Sequence, residues 1–120
     1  MKDKRKRIGF PYAIRGIIAV AKSEWNFRFH LIVLLFVICA GFIFKLTQLE
    51  WVAIILVIGM VLITEMINTA IEKIIDYIKP DFHPSAGFIK DAAAGAVLIS
   101  ALVSIIAGLI IFLPKILALL

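Results

Sequence analysis

The chain reads as an all-α integral membrane protein, with an N-terminal amphipathic surface helix ahead of three transmembrane helices. Three observations predict this. Of its 120 residues 63% are hydrophobic, and the mean hydropathy of +1.10 exceeds what a water-soluble domain of this size tolerates. Three long stretches carry no formal charge: Phe29 to Phe44, Trp51 to Thr64 and Ala92 to Leu113. Finally, eight of the 13 Lys and Arg residues lie within the first 28 positions, beside the apolar stretches. That placement suits anionic headgroups, and nucleic acid is not an expected partner.

The elements follow in order. The opening MKDKRKR resembles the start of a signal peptide. The first apolar run, however, begins only after a mixed stretch holding Arg15, Lys22, Glu24 and Arg28, and no small-residue cleavage site follows. The N-terminus is therefore expected to be retained. Between Phe10 and Lys22, the residues Ile14, Ile17, Ile18 and Ala21 take helix-forming apolar positions, with Arg15 and Lys22 on other faces. This predicts the surface helix, at about 8–24.

The first span, about 26–46, is short, but Trp25 to Arg28 before it and Lys45 after it supply anchors that reach the two interfaces. The second, about 50–79, runs on from Trp51 into a polar motif. The third, about 86–113, holds the small-residue run AAAGA (92–96), which permits close helix approach. Residues 1–120 form one membrane domain in this reading. Cys39 is the only cysteine and lies in the first span, so neither an intrachain disulfide nor a cysteine metal site is available. His30 and Cys39 are expected to pack rather than react.

Lys and Arg number eight before the first span, one between spans one and two, three between spans two and three, and one after. The positive-inside rule puts the N-terminus and the second loop in the cytoplasm. Glu50 is then the only acid outside.

The motif TEMINTAIEKIID (64–76) places three carboxylates, an amide and hydroxyl groups at the inner end of span two. At about 1.5 Å per residue, Glu65 lies roughly 21 Å and Glu72 roughly 31 Å along the helix from Trp51. Glu65 is thus just inside the hydrocarbon and Glu72 at its boundary. At about 100° per residue, Glu65, Asn68, Thr69, Glu72 and Asp76 share one face. An acid at this depth costs about 2.5–3.5 kcal/mol on insertion scales, which makes it a functional candidate and argues for an oligomer that surrounds it. Topology brings Glu24, Lys90 and Asp91 to the same inner interface. Two carboxylates from different helices suit a magnesium ion shared with substrate phosphates, with lysine as a point charge beside them.

The loop PDFHPSAG (80–87) breaks the helix at Pro80 and restarts it near Ser85, a candidate N-cap. Asp81, Phe82 and His83 are placed to meet a cytoplasmic ligand. No GxxxxGK[ST], HExxH, GxSxG or CxxC pattern occurs. A proton- or cation-coupled transporter would explain Glu65, but not Glu24, Lys90 and Asp91 at one interface.

Two stretches carry a family resemblance: Glu65, Asn68, Thr69, Ala70, Ile71, Glu72 and Asp76, then FHPSAGFIKDAAAGAV at 82–97. They resemble the small prokaryotic diacylglycerol kinase family, whose Gram-positive branch acts as undecaprenol kinase, and the likeness covers almost the whole chain. The resemblance implies a homotrimer in a bacterial cell membrane, with composite sites at the cytoplasmic interface that move the γ-phosphate of MgATP to a lipid hydroxyl. By position, Glu65 matches the catalytic base, and Glu24 and Glu72 match Mg²⁺ ligands. Arg5, Tyr12, Asp81, Phe82, His83, Lys90 and Asp91 match nucleotide-contacting positions, and Asn68 is expected to orient Glu65 or a phosphate. The KDAAAGAV form (90–97) favours undecaprenol as acceptor, with diacylglycerol as the alternative.

Overall fold

The computed structural model describes residues 9–120. It contains four helices: α1 (Phe10–Ser23), α2 (Trp25–Ile43), α3 (Gln48–Ile78) and α4 (Pro84–Ala118). The last three are long and apolar enough to cross a membrane. Helix α1 starts with Pro11 in its first turn, where a missing N–H costs nothing. It ends at Glu24, whose extended backbone (φ −113°, ψ 114°) forms the corner into α2. Arg28 closes that corner. Its Nη1 donates to the carbonyls of Ala21 (2.9 Å) and Lys22 (2.7 Å), satisfying acceptors that the end of α1 leaves open.

Helix α2 ends in a Schellman arrangement. The Leu46 N–H donates to Gly41 O (3.0 Å) and the Lys45 N–H to Phe42 O (3.3 Å), while Lys45 takes the left-handed conformation at φ 54°. Helix α3 then opens with a capping box. Thr47 Oγ1 accepts from the Glu50 N–H (3.2 Å), and Glu50 Oε1 accepts from the Thr47 N–H (2.9 Å). Gly41 is buried where the Trp51 ring crosses α2, and a Cβ there would fall inside the ring's van der Waals surface. Leu46, Ile54 and Ile111 form the buried apolar cluster at this end, with Val37, Trp51 and Phe112 against it. Lys115 Nζ meets Glu50 Oε2 at 3.1 Å and ties the end of α4 to the start of α3.

Helix α4 begins two residues earlier than a cap at Ser85 would place it. His83 is the cap, extended at φ −150°, with Nδ1 accepting from the Ser85 N–H at 3.1 Å. Proline at the first helical position explains the shift, because the fixed φ of Pro84 is already helical. With 31 and 35 residues, α3 and α4 are about 46 and 52 Å long. Each outruns a hydrocarbon layer of about 30 Å, so α3 carries its C-terminal turns beyond the apolar zone.

Candidate active site

The usual distribution of polarity is inverted in this chain. Large apolar side chains such as Leu35, Phe36 and Ile63 are exposed, while the buried polar residues are Glu65 (4% exposed), Thr69 (6%) and Ser100 (2%). Antiparallel packing of α3 on α4 brings Thr64 against Ser100, their hydroxyls 2.9 Å apart. Each hydroxyl has one proton, so one of the pair donates to the other while its partner donates back to a carbonyl of its own helix, Thr64 to Val61 or Ser100 to Val97. The pair thereby ties the two helices together beside Glu65 without leaving a polar atom unmet.

A single chain is enough to bury Glu65. Of the polar face of α3, Glu65 and Thr69 are buried within one chain, whereas Asn68 and Glu72 are half-buried and Asp76 is exposed. The residue facing Glu65 is His30, whose Nε2 lies 3.5 Å from Glu65 Oε1. Sequence reading expects His30 only to pack. The signal it offered was the cost of an ionisable ring inside an apolar helix, the same cost that singles out Glu65.

One turn beyond Glu65, Asn68 Nδ2 donates to Glu72 Oε1 at 3.1 Å. The Asn68 Oδ1 is buried and has no hydrogen-bond partner among the described residues. Glu24, at the α1–α2 corner, is half-buried, and its carboxylate makes no helix-capping bond. Both Glu24 and Glu72 lie within electrostatic reach of Glu65. Glu65 and Glu72 thus share the inner half of α3, with the Asn68 amide holding Glu72, while Glu24 stands at the α1–α2 corner.

Among the described residues, no group of three or more His, Cys, Asp or Glu stands ready to hold a metal ion. A site for Mg²⁺ needs less than that, since one or two carboxylates with substrate phosphates suffice. The donor set of Glu24, Glu72 and the unsatisfied Asn68 oxygen consists entirely of hard oxygen atoms, which fits that ion.

Farther along, Lys90 pairs with Asp76 across α3 and α4 rather than with Glu65 or Glu72. Lys79, Asp81, Phe82, His83, Gly87 and Lys90 line an open cleft of about 320 Å³ at the α3–α4 turn. Asp81, His83 and Asp91 are exposed, and Phe82 is 92% exposed. Tyr12 is half-buried on α1, with the Arg15 guanidinium 5.3 Å from its ring centroid. Arg5 lies outside the described residues. The structure therefore sets Glu65, Asn68 and Glu72 along the inner half of α3 and gathers Asp81, Phe82, His83 and Lys90 at the α3–α4 turn, with Glu24 at the α1–α2 corner.

Residues 11–112 match the family model for prokaryotic diacylglycerol kinase. Among curated proteins, an undecaprenol kinase of Bacillus subtilis is 44% identical over 119 residues, covering 95% of this chain and 97% of the relative. A diacylglycerol kinase of Synechocystis is 34% identical, covering 93% of this chain and 65% of that protein. The diacylglycerol kinase of Escherichia coli K12 is 30% identical, covering 79% and 78% respectively.

Proposed function

The chain belongs to the prokaryotic diacylglycerol kinase family and is an ATP-dependent lipid kinase, and we propose that its acceptor is undecaprenol, converted to undecaprenyl phosphate. The observation that carries this reading is the depth-ordered carboxylate group, with Glu65 buried and Glu72 two turns nearer the helix end. A lipid alcohol has its hydroxyl at the depth of Glu65, whereas ATP stays in water beyond Glu72. The choice of undecaprenol is supported by the higher identity, over nearly full length, to the Bacillus protein than to the diacylglycerol kinases.

In this mechanism Glu65 accepts the proton of the lipid hydroxyl as its oxygen attacks the γ-phosphorus. Asn68 holds the Glu72 carboxylate in place and offers Oδ1 to a donor on the substrate or the solvated ion. Glu24 and Glu72 would hold Mg²⁺, which would supply charge neutralisation for the phosphates. Lys90, Asp81, Phe82 and His83, with Tyr12, Asp91 and Arg5, contact the nucleotide. Phosphoryl transfer asks mainly for positioning and charge neutralisation, which this group of residues supplies.

The 120 residues act as one kinase domain, with α1 on the cytoplasmic surface of a bacterial cell membrane and the site at that interface. The protein works as a homotrimer with shared sites. This is supported by the apolar faces left open and by Ala92, Ala94 and Ala96, which are exposed on α4 where another helix could approach closely.

Purified protein in detergent, given MgATP and either undecaprenol or diacylglycerol, tests the reading directly. Faster phosphorylation of undecaprenol is expected. Preference for diacylglycerol would move the substrate assignment, and no product from either lipid would sink the kinase itself.

A further inference from the structure

His30 is a group for which the kinase reading has no task. It stands on α2, and its Nε2 lies 3.5 Å from Glu65 Oε1, with the side chain 21% exposed against 5% for the carboxylate. The ring therefore bridges a buried carboxylate and more open surroundings. It packs edge-on to Phe29, with centroids 5.6 Å apart and planes at 68°. Arg28 ties the same stretch of α2 to the end of α1.

A base that takes one proton per turnover must also lose it, and a site closed to water makes that loss slow. Among the described residues, the charged or titratable groups acting on Glu65 are His30, Glu24 and Glu72. The α4 group nearest this level of α3, Ser100, is uncharged and already bonded to Thr64 and Val97. Glu24 and Glu72 are the proposed magnesium ligands. Among the described residues, only the imidazole combines a proton-accepting nitrogen 3.5 Å from Glu65 with a side chain less buried than the carboxylate itself.

We propose that His30 is a positioning residue that also relays the proton away from Glu65, an inference that rests on Glu65 being the base. The lipid oxygen bonds to the γ-phosphorus, the bond from that phosphorus to the ADP oxygen breaks, and the hydroxyl proton goes to Glu65. Glu65 passes it to Nε2 of neutral His30, and the resulting imidazolium releases one proton to water. The proton released is the one on Nδ1, and tautomerisation of the ring then frees Nε2 for the next cycle, so that each turnover yields one phosphorylated lipid, one ADP and one proton.

The test uses the full chain with MgATP and undecaprenol in detergent. His30→Gln keeps a polar side chain beside Glu65 but cannot carry a proton. Its kcat is expected to fall roughly a hundredfold with the KM for lipid and ATP unchanged, and added imidazole should recover part of the loss in His30→Ala. In a Glu65→Gln background, His30→Gln should cause no further loss. A His30→Gln kcat within about twofold of the parent overturns the relay, as does a loss that imidazole does not recover. A proton inventory on the unsubstituted protein covers the case in which the variants do not fold. A bowed dependence of kcat on deuterium fraction is expected, and a linear one or none overturns the proposal. If Glu65→Gln is inactive while His30→Gln is unaffected, the relay alone fails. If the unsubstituted protein phosphorylates neither lipid, the kinase reading fails first.

Discussion

The two ends of the α2–α3–α4 bundle are held together by opposite means. At the α2–α3 turn, Leu46, Ile54 and Ile111 are buried together, the Trp51 ring lies on Gly41, and the polar groups present are paired, Glu50 with Lys115 and with the Thr47 N–H. At the other end, the buried residues include the polar Glu65, Thr69 and Ser100 besides Phe27 and Val61, and Asn68 keeps an acceptor without a partner among the described residues. The first end satisfies its own chemistry. The second leaves an acceptor unmet, which suits the active site proposed there. Substitutions should separate the two, with changes at the polar end affecting turnover and changes at the turn affecting stability.

The largest effect is expected from Glu65→Gln, which keeps size and hydrogen bonding but removes the base. Turnover should fall by about 10²–10⁴-fold with the thermal midpoint in detergent unchanged or raised. A fall in midpoint that matched the fall in activity would break the division of labour between the two ends. Next is Glu72→Gln, which weakens a proposed metal ligand and the acceptor of the Asn68 amide. The magnesium concentration for half-maximal rate should rise by about 10- to 100-fold, read from a titration at saturating ATP.

Effects at the turn are smaller and of the other kind. Gly41→Leu drives a side chain into the Trp51 ring and should cost about 1–3 kcal/mol, seen as a lower unfolding midpoint. The fraction that remains folded should keep its kcat. Smallest is Lys45→Gly, which relieves the left-handed backbone at the end of α2 and should raise stability by about 1 kcal/mol without changing turnover. A change in kcat from either substitution would show that the two ends are coupled through α3.

The polar face of α3 is legible in the sequence because a helix repeats every 3.6 residues, so the spacing of Glu65, Asn68, Thr69 and Glu72 places them together before any packing is known. Depth is equally legible from Trp51 and the rise per residue. The start of α4 is less so: Ser85 is the better cap by residue type, but the rigid φ of Pro84 moves the cap to His83. Lys90 and Asp76 each read as site residues by location, yet they meet each other. No one-dimensional pattern records which cation on one helix faces which acid on another.

That the chain is a set of apolar helices, and on which face of α3 its polar residues lie, follows from the sequence alone. Those properties depend on composition and on periodicity within one element, and both are local. Only the tertiary structure decided that one chain buries Glu65 without help, that His30 is its neighbour, that Asn68 holds Glu72, and that Gly41 makes room for Trp51. Each of these depends on the rotation and height of one helix against another. That registry is set by the sum of many side-chain contacts along the interface, which no single stretch of sequence contains.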